Sequence, residues 1–363
     1  MAILRSSDEK DGNSEPLIPG LPDEIAELCL LHVPYPYQAL IRSVSSSWNK
    51  TITDPCFLLS RKSQPFLFVF AFDKSTARIQ WQALDPRSRR WFVLPRIPCL
   101  ETVSPESFAC ASIPRQGKLF VMGGMRANTE SSVRTTVIYH TSTNQWSQAS
   151  PMLTARSFFA AANVGDKIFA VGGSGPGVSG PSDSISAVER YDPKTGAWAS
   201  VAKMRAGLAR YDAAVVGRKI CVTEGWTWPF VFSPRGGVYD AETDTWQEMS
   251  AGMREGWTGL SAVVDDRLFV ISEHGDCPMK VYHSDSDTWE YVGGQRFPCD
   301  AVQRPFAVGA MEGRIYVVSH GMNVAIGRIY EVEKGKPWVE WEVVEAPRAF
   351  HGLSPSTCQV VYA

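Results

Sequence analysis

The sequence has few of the features that mark secretion, membrane insertion or nucleic-acid binding. None of its eight cysteines form a Cys-x-x-Cys spacing, so neither a zinc ribbon nor a redox pair is indicated. No apolar run approaches the length of a membrane span, and the polar first residues lack the apolar region of a signal peptide. The formal net charge is −2, whereas nonspecific nucleic-acid binding would require a basic face.

Motifs of catalysis are also missing. No Gly-x-Ser-x-Gly nucleophile elbow occurs, and no Cys–His pairing is evident. The cysteines stand mostly among apolar neighbours, where reduced cysteine is a common small core residue. We therefore predict a non-catalytic protein of the cytoplasm and/or nucleus that has no cofactor, no nucleic-acid partner and no membrane partner.

The most informative pattern is a repeat built on tyrosine and tryptophan. In most units a tyrosine or leucine precedes a tryptophan by seven residues, as follows: Leu84 and Trp91, Tyr139 and Trp146, Tyr191 and Trp198, Tyr239 and Trp246, Tyr282 and Trp289, and finally Tyr330 before Trp338 and Trp341. The signature tryptophans recur about every 50 residues, a period that is typical of propeller blades of the kelch type. We predict a mainly β fold, a six-bladed propeller.

Apolar runs predict where the strands of each repeat lie. They occur at Phe66–Phe72, Phe108–Ile113, Leu119–Gly124, Phe158–Val164, Ile168–Gly173, Asp212–Val216, Ile220–Gly225, Leu260–Val264, Leu268–Glu273, Phe306–Met311 and Ile315–His320. The first unit lacks a run before its own, whereas the strand Thr357–Tyr362 has no unit after it. We predict that this last strand is the innermost strand of the first blade, because that pairing closes the ring and removes open sheet edges.

The segment before the repeat predicts helices. Residues 1–16 are polar and predicted to be a disordered tail, residues 17–62 are predicted to be helical, and residues 63–363 form the propeller. Pro22, Asp23 and Glu24 suit the first turn of a helix. The apolar residues at helical spacing are Leu21, Ile25, Leu28 and Leu31, followed after Pro34 and Pro36 by Leu40, Val44, Trp48 and Ile52. Asp54-Pro55 is expected to open a third short helix.

This helical segment resembles an F-box. The resemblance rests on Leu21-Pro22-Asp23, Ile25, Leu28, Val33-Pro34, Leu40, Val44, Trp48 and the ending Asp54-Pro55 with Phe57. Together with the repeat behind it, the chain from Leu17 to Ala363 resembles the F-box/kelch-repeat proteins, which are especially abundant in plants. One departure is Ser45-Ser46, where that family often carries Cys-Lys.

The resemblance implies a function in protein ubiquitination. F-box proteins insert three short helices into the Skp adaptor of a cullin–RING ubiquitin ligase, and their attached domain binds the target protein. Such a receptor acts by proximity and supplies no chemical group. The adaptor-binding residues that the resemblance implies are Leu21, Pro22, Ile25, Leu28, Val33, Pro34, Leu40, Val44 and Trp48.

An alternative is a non-ligase interaction scaffold in which the three helices cap the propeller. A segment of about 46 residues is too small to bury all of its apolar side chains alone. Packing on the propeller, with Trp48 buried against a blade, and binding to a partner would both solve this problem.

The loops predict the target-binding face. Loops between the second and third strands of each blade share a face with the loops that join successive blades, and scaffolds place binding residues in loops. The predicted target-binding residues are Arg156, Arg210, Trp226, Trp228, Phe230, Arg235, Arg254, Trp257 and Arg304. Arginine with aromatic residues is the usual composition of interface hot spots. In the alternative interpretation, the loop that carries Trp226, Trp228 and Phe230 forms a plug over the ring centre. Arginines such as Arg156 and Arg210 then bond backbone carbonyls in the central channel.

A further alternative is a propeller that binds a metal or a small molecule. His274, His320 and His351 would converge on one face of the ring, although the spacing of ligands across loops is not diagnostic. We predict no metal site.

Overall fold

The computed structural model describes residues 16–60, 63–76, 78–98, 103–175, 184–208, 211–224, 235–272, 275–276, 278–332 and 335–363. The predicted tail at residues 1–16 therefore lies, except for Pro16, outside the described residues. The chain divides into a helical unit, whose helices lie before Pro65, and a β unit that comprises Pro65–His140 and Gln145–Tyr362.

Between residues 16 and 60, the helical unit contains four short α-helices. They are α1 (Asp23–Leu31), α2 (Tyr37–Leu40), which continues into a 3-10 helix at Ile41–Ser43, α3 (Ser46–Thr53) and α4 (Pro55–Ser60). Asp23 and Glu24 occupy the first turn of α1, where negative charge interacts favourably with the helix dipole. At the other end of α1, the buried amide of Gln38 donates from Nε2 to the carbonyl oxygen of Leu30 at 3.2 Å. This bond adds to the one that the same carbonyl accepts from the backbone N of Val33, so the last turn of the helix is well paired.

The apolar residues Leu40, Val44, Trp48 and Ile52, spaced by four, do not lie on one helix. Ser45 interrupts the spacing with extended backbone angles of φ −156° and ψ 165°, and its Oγ accepts a hydrogen bond from the backbone N of Trp48. Serine is a favourable N-cap because its hydroxyl pairs with a free N–H of the first turn. Ser45, which stands where the family often has cysteine, is therefore the N-cap residue of α3.

A small core holds the helical unit together. Leu30, Ile52 and Phe57 are buried in it, and the half-buried ring of Trp48 packs against them. The Trp48 Nε1 also donates to the carbonyl oxygen of Leu17 at 2.6 Å. Trp48 therefore stabilises the helical unit from within.

The described residues of the β unit form 25 strands. They are β1 (Pro65–Asp73), β2 (Arg78–Asp85), β3 (Arg90–Val93), β4 (Ala109–Ile113), β5 (Lys118–Met122), β6 (Thr136–His140), β7 (Gln145–Gln148), β8 (Ala160–Val164), β9 (Lys167–Val171), β10 (Val188–Asp192), β11 (Ala197–Val201), β12 (Tyr211–Val216), β13 (Lys219–Glu224), β14 (Gly236–Asp240), β15 (Thr245–Glu248), β16 (Gly259–Val264), β17 (Arg267–Ser272), β18 (Met279–His283), β19 (Thr288–Tyr291), β20 (Gly293–Gly294), β21 (Ala307–Met311), β22 (Arg314–Val318), β23 (Val324–Glu331), β24 (Pro337–Val344) and β25 (Ser354–Tyr362). The helix α5 (Ala251–Gly256) and 3-10 helices at Pro114–Gln116, His320–Met322 and Arg348–Phe350 lie between strands.

These strands form six sheets, which are the blades of a propeller. The first blade has the order β25-β1-β2-β3, and blades two to five comprise β4–β7, β8–β11, β12–β15 and β16–β19 in sequence order. The sixth comprises β21–β24 and one strand that the sequence did not predict, since β20 adds in parallel to the outer edge of β24. The predicted mainly β fold with six blades is confirmed.

The last strand closes the ring as predicted. β25 pairs with β1 antiparallel, from Pro65 opposite Tyr362 to Phe72 opposite Ser354. The innermost strands β25, β4, β8, β12, β16 and β21 each contact the next around the ring. Closure covers the inner sheet edges, which would otherwise be open to pairing with other chains.

The recurring tyrosine and tryptophan are partners across a hairpin. Tyr191 on β10 lies opposite Trp198 on β11, with 5.3 Å between the ring centroids. The Nε1 of Trp198 donates to the carbonyl oxygen of Ser150, which follows the outer strand of the preceding blade. Trp246 and Trp289 make the same kind of bond to Ala202 and Gly252. The repeat therefore fastens blades three, four and five each to the blade before it.

The glycine doublets of blades two and three are required by backbone conformation and space. Gly124 has φ +109° and Gly173 has φ +98°, a region that side chains strongly disfavour. A Cβ on Gly173 would also lie 2.6 Å from the carbonyl oxygen of Ser157. These doublets thus mark places where a blade loop passes close to a segment that joins two blades.

Apolar side chains fill the spaces between neighbouring blades. Between blades six and one, for example, Tyr316 and Val318 pack with Leu67 and Leu84. Burying one such large side chain contributes roughly 1.5–3 kcal/mol. The loops at the ends of the blades are thereby held on a rigid frame.

Candidate functional site

The helical unit exposes a set of large apolar side chains. Their exposed fractions are 38% for Leu21, 47% for Ile25, 50% for Leu28, 48% for Tyr37, 52% for Leu40 and 60% for Val44. Ile25 and Leu28 are three residues apart and therefore neighbours on the surface of α1, whereas Ala26 and Leu30 of the same helix are buried. We call these six side chains the helical apolar set.

Five residues of the helical apolar set are among those predicted to bind the adaptor. Of the other predicted residues, Pro22 and Pro34 are exposed, while Val33 and Trp48 are half-buried. The sequence reasoning missed Tyr37, because the prolines just before it indicated only the end of a helix. Exposed apolar groups at this density are typical of protein interaction sites.

The structure places Arg156 inside the propeller, so its predicted contact with a target is wrong. Its side chain is fully buried, and its Nη2 lies 2.5 Å from the Oε1 of Glu189, which is also buried. Its Nη1 donates to the carbonyl oxygens of Gly172 and Ala187 at 2.9 and 3.0 Å. The alternative in which this arginine bonds backbone carbonyls is the one that the structure supports.

The predicted surface role of Trp257 is wrong for the same reason. Its ring is 3% exposed and packs between blades four and five. Its Nε1 donates to the Oδ2 of Asp212 at 2.9 Å, and the backbone N of Ser261 donates to the same oxygen at 2.8 Å. Removal from water raises the pKa of Asp212 above its ordinary value. Trp257 therefore anchors the start of blade five to the innermost strand of blade four.

Four predicted target-binding residues cannot be placed. Arg210, Trp226, Trp228 and Phe230 lie outside the described residues. Their binding role and the alternative plug over the ring centre both stay predictions.

The remaining predicted arginines lie at two places. Arg304 is exposed, and its Nη2 donates to the carbonyl oxygen of Gly275 at 3.2 Å. Arg235 at the start of β14 and Arg254 on α5 line one cavity of about 270 Å³ beside blade four. The structure therefore brings Arg235 and Arg254 together, although 19 positions separate them in the sequence.

The described residues give little support to the alternative in which three histidines hold a metal. His274 lies outside them, His351 is exposed, and the Nδ1 of His320 lies 3.0 Å from the Oγ of Ser354. Among the described residues, no three His, Cys, Asp or Glu side chains are grouped as metal ligands would be. No described helix combines the length and the apolar character that crossing a membrane requires.

Comparison with known proteins decides the family. The F-box domain matches residues 18–60, and the Kelch motif matches residues 109–153 and 155–205. F-box protein AFR of Arabidopsis thaliana is 54% identical over 364 residues, which cover 99% of this chain and 96% of that protein. An F-box/kelch-repeat protein of the same plant is 41% identical over 365 residues, or 99% of this chain and 90% of the relative. The chain belongs to the F-box/kelch-repeat proteins.

The matched regions agree with the structure of the two units. The F-box match covers all four helices of the helical unit, including the whole helical apolar set. The two kelch matches cover blades two and three, which are the blades that keep the glycine doublet. A more distant F-box/kelch-repeat protein of Arabidopsis thaliana is 28% identical over 374 residues and covers 85% of this chain and 78% of its own length.

Proposed function

We propose that this chain is the substrate-recognition subunit of a Skp–cullin–F-box E3 ubiquitin ligase. Its F-box docks on a Skp-type adaptor, and through that adaptor on the cullin and RING subunits. Its propeller binds a target protein, which is then ubiquitinated and degraded. The observation that carries the proposal is the helical apolar set, which lies within the F-box match and is open to solvent.

The energetics favour a partner for this surface. Burying one large apolar side chain stabilises a complex by roughly 1.5–3 kcal/mol when the side chain was fully exposed before. Half-exposed side chains such as Ile25, Leu28 and Leu40 contribute less each but act together. Their sum has to exceed the cost of association, about 4–15 kcal/mol. One or two such groups could not offset this cost, whereas several together offset a large part of it.

The propeller contributes binding and no chemical group. A receptor of this kind raises the effective concentration of a target lysine near the charged E2. We accordingly propose a non-catalytic subunit that acts in the cytosol and/or the nucleus, where ubiquitin ligases meet their targets.

The test is capture of the purified full chain by an immobilised Skp adaptor. We expect the wild-type chain to bind, and we expect the double variants Leu21→Ala/Pro22→Ala and Leu28→Ala/Leu40→Ala to lose most of that binding. Leu153→Ala is the matched control, because Leu153 on the β unit is 50% exposed, as Leu28 is. Equal melting temperatures of the variants would exclude unfolding as the cause.

Two outcomes would contradict the proposal. Absence of capture for the wild-type chain would favour the non-ligase scaffold, in which the helices serve the propeller alone. Capture that the helical variants retain would show that the adaptor binds elsewhere.

A further inference from the structure

A groove runs beside blade four of the propeller. Its walls come from three segments that are distant in sequence: the joining segment before the blade, the two outer strands β14 and β15, and α5 after the blade. We call it the blade-four groove and define it by Met204, Arg205, Leu208, Arg235, Trp246 and Arg254, which line its cavity of about 270 Å³.

The floor of the groove is apolar and rigid. Met204 and Leu208 are buried, and the half-buried ring of Trp246 lies against Gly237, where an added Cβ would come within 3.0 Å of the ring. The indole is fixed by a hydrogen bond from its Nε1 to the carbonyl oxygen of Ala202 at 2.8 Å. Because this floor is already ordered, binding an apolar side chain there costs little additional conformational entropy.

The rim of the groove is cationic. Arg235 is held by Glu224, which accepts from its Nε at 2.9 Å and also from its Nη2. Arg254 has a looser contact, since its Nη1 lies 3.5 Å from a carboxylate oxygen of Glu248 that is largely exposed to water. Arg205 is exposed, and within the part of the chain that the structure describes it forms no ion pair.

The charges therefore do not balance at the rim. Three guanidinium groups face two carboxylates, and one of the two ion pairs is long and exposed to solvent. Arginine binds carboxylates well because its planar group offers parallel N–H donors. An incoming carboxylate can pair with Arg205 and displace the exposed Glu248 from Arg254.

We propose that the blade-four groove binds an acidic peptide segment of the target protein, in which a large apolar side chain lies next to a carboxylate side chain. The apolar side chain enters between Met204, Leu208 and Trp246, and the carboxylate pairs with Arg254 and Arg205 at the rim. This inference rests on the proposed function, because it takes the propeller to be the part that holds the target.

The size of the cavity favours a peptide side chain over a cofactor. Pockets for small molecules and cofactors measure roughly 300–1,000 Å³ and enclose most of their ligand. The blade-four groove is smaller, and two of its arginines, Arg205 and Arg235, are exposed at its rim. It therefore suits one large side chain of a segment whose backbone stays at the surface.

The experiment uses the purified full chain and an array of immobilised short peptides. Two adjacent central positions vary over all amino acids, with phosphoserine included, and the flanking positions are glycine and serine. We expect the strongest binding where Asp or Glu stands next to Phe, Leu, Met or Trp. The double variant Arg205→Ala/Arg254→Ala should weaken that binding roughly tenfold.

Two further variants make the result specific to this groove. Ala206→Trp places a large ring on an exposed residue of the cavity wall and should block binding while all arginines remain. Arg218→Ala is the matched control, because Arg218 is an exposed arginine at the turn between β12 and β13 that pairs with Glu242, and it should bind as the wild type does. Melting temperatures check that each variant is folded.

Three outcomes would overturn the inference. The protein would show no preference for peptides with acidic–apolar pairs, the preference would persist in both groove variants, or the protein would bind phosphoserine peptides alone. Adaptor capture measured on the same variants separates this inference from the proposed function. Peptide binding without adaptor capture would contradict the ligase role and leave the groove as a peptide site. Adaptor capture without peptide binding would support the ligase role and contradict the peptide site in the groove.

Discussion

Arg156 and Glu189 form an ion pair in the interior of the propeller, with 2.5 Å between Nη2 and Oε1 and with both side chains at most 1% exposed. Glu189 also accepts hydrogen bonds from the backbone N of Leu153 and Thr154, and Arg156 donates to the carbonyl oxygen of Gly172. The pair thus links the segment that enters blade three to the middle strands of that blade. Both charged side chains of this network are withdrawn from water.

Removing one member of the pair should destabilise the protein strongly. Glu189→Ala leaves the Arg156 guanidinium buried without its counter-charge, which costs roughly 3–5 kcal/mol. The double variant Arg156→Met/Glu189→Met should be less destabilised than Glu189→Ala, since no buried charge remains. Denaturant unfolding of the three proteins measures this. A single variant within about 1 kcal/mol of the wild type would contradict the structural role assigned here.

Ring closure should depend on the last strand. Deletion of the last seven residues removes most of the pairing between β25 and β1 and exposes the edge of β1. We expect the loss of a single cooperative unfolding transition and increased aggregation. As a milder test, Val361→Ala removes two methyl groups from a fully buried position and should cost about 2 kcal/mol. Gln359→Ala on the same strand is the control, and a larger effect there would contradict this account.

We expect the region around α5 to lose stability at acidic pH, because Asp287 becomes protonated. Hydrogen bonds from Ser250, from Tyr282 and from the backbone N of Gly252 lower the pKa of Asp287 to about 2, below its ordinary value of 3.8. A carboxyl whose pKa is lowered by folding stabilises the folded state above pH 3.8, and this contribution is lost as the pH falls towards 2.

The variant Asp287→Asn should therefore be less stable than the wild type at neutral pH and should lose less stability between pH 4 and pH 2. Thermal unfolding across this pH range measures both effects. Asp285→Asn, an exposed neighbour in the same turn, is the control. If both variants had the same pH dependence, the hydrogen bonds of Asp287 would not be the cause.

Substitutions of Trp48 and of Leu40 should distinguish an effect on folding from an effect on adaptor binding. Trp48 packs into the core of the helical unit and holds Leu17, so Trp48→Ala should destabilise that unit by about 2 kcal/mol. Leu40 is 52% exposed, so Leu40→Ala should change stability by less than about 0.5 kcal/mol and still weaken adaptor capture. Helical circular dichroism on heating, measured beside adaptor capture, tests both statements. Normal adaptor capture by Leu40→Ala would remove Leu40 from the interface.

Several features of the fold were predictable because they depend on residues close together in the chain. The seven-residue spacing of Tyr191 and Trp198 is the register of a hairpin, and a hairpin fixes its own register. Counting the strands of each repeat then left Thr357–Tyr362 without a partner, and only ring closure provides one. The observed strand begins three residues earlier, at Ser354, because pairing with β1 continues past a register shift at Phe70 and Ala71.

Predictions of exposure failed where distant segments decide it. Trp257 stands beside Gly256 and Glu255, and Arg156 stands between Ala155 and Ser157. Nothing in either stretch shows that Asp212 and Glu189 would bind these side chains in the interior. Arg235 and Arg254 were predicted for one loop face, but only the fold places them on one cavity with Met204 and Leu208. The adaptor-binding residues and the target-binding residues that remain stay predictions until the binding experiments are made.

Local patterns thus determined the kind of protein: the blades, their number, the helical F-box and the family. They could do so because helices and hairpins form from neighbouring residues with characteristic spacing. Tertiary packing alone decided which polar and aromatic side chains are buried and which remain on the surface. That choice depends on the free energy of removing each group from water in the presence of partners from other blades, and no short stretch of sequence contains those partners.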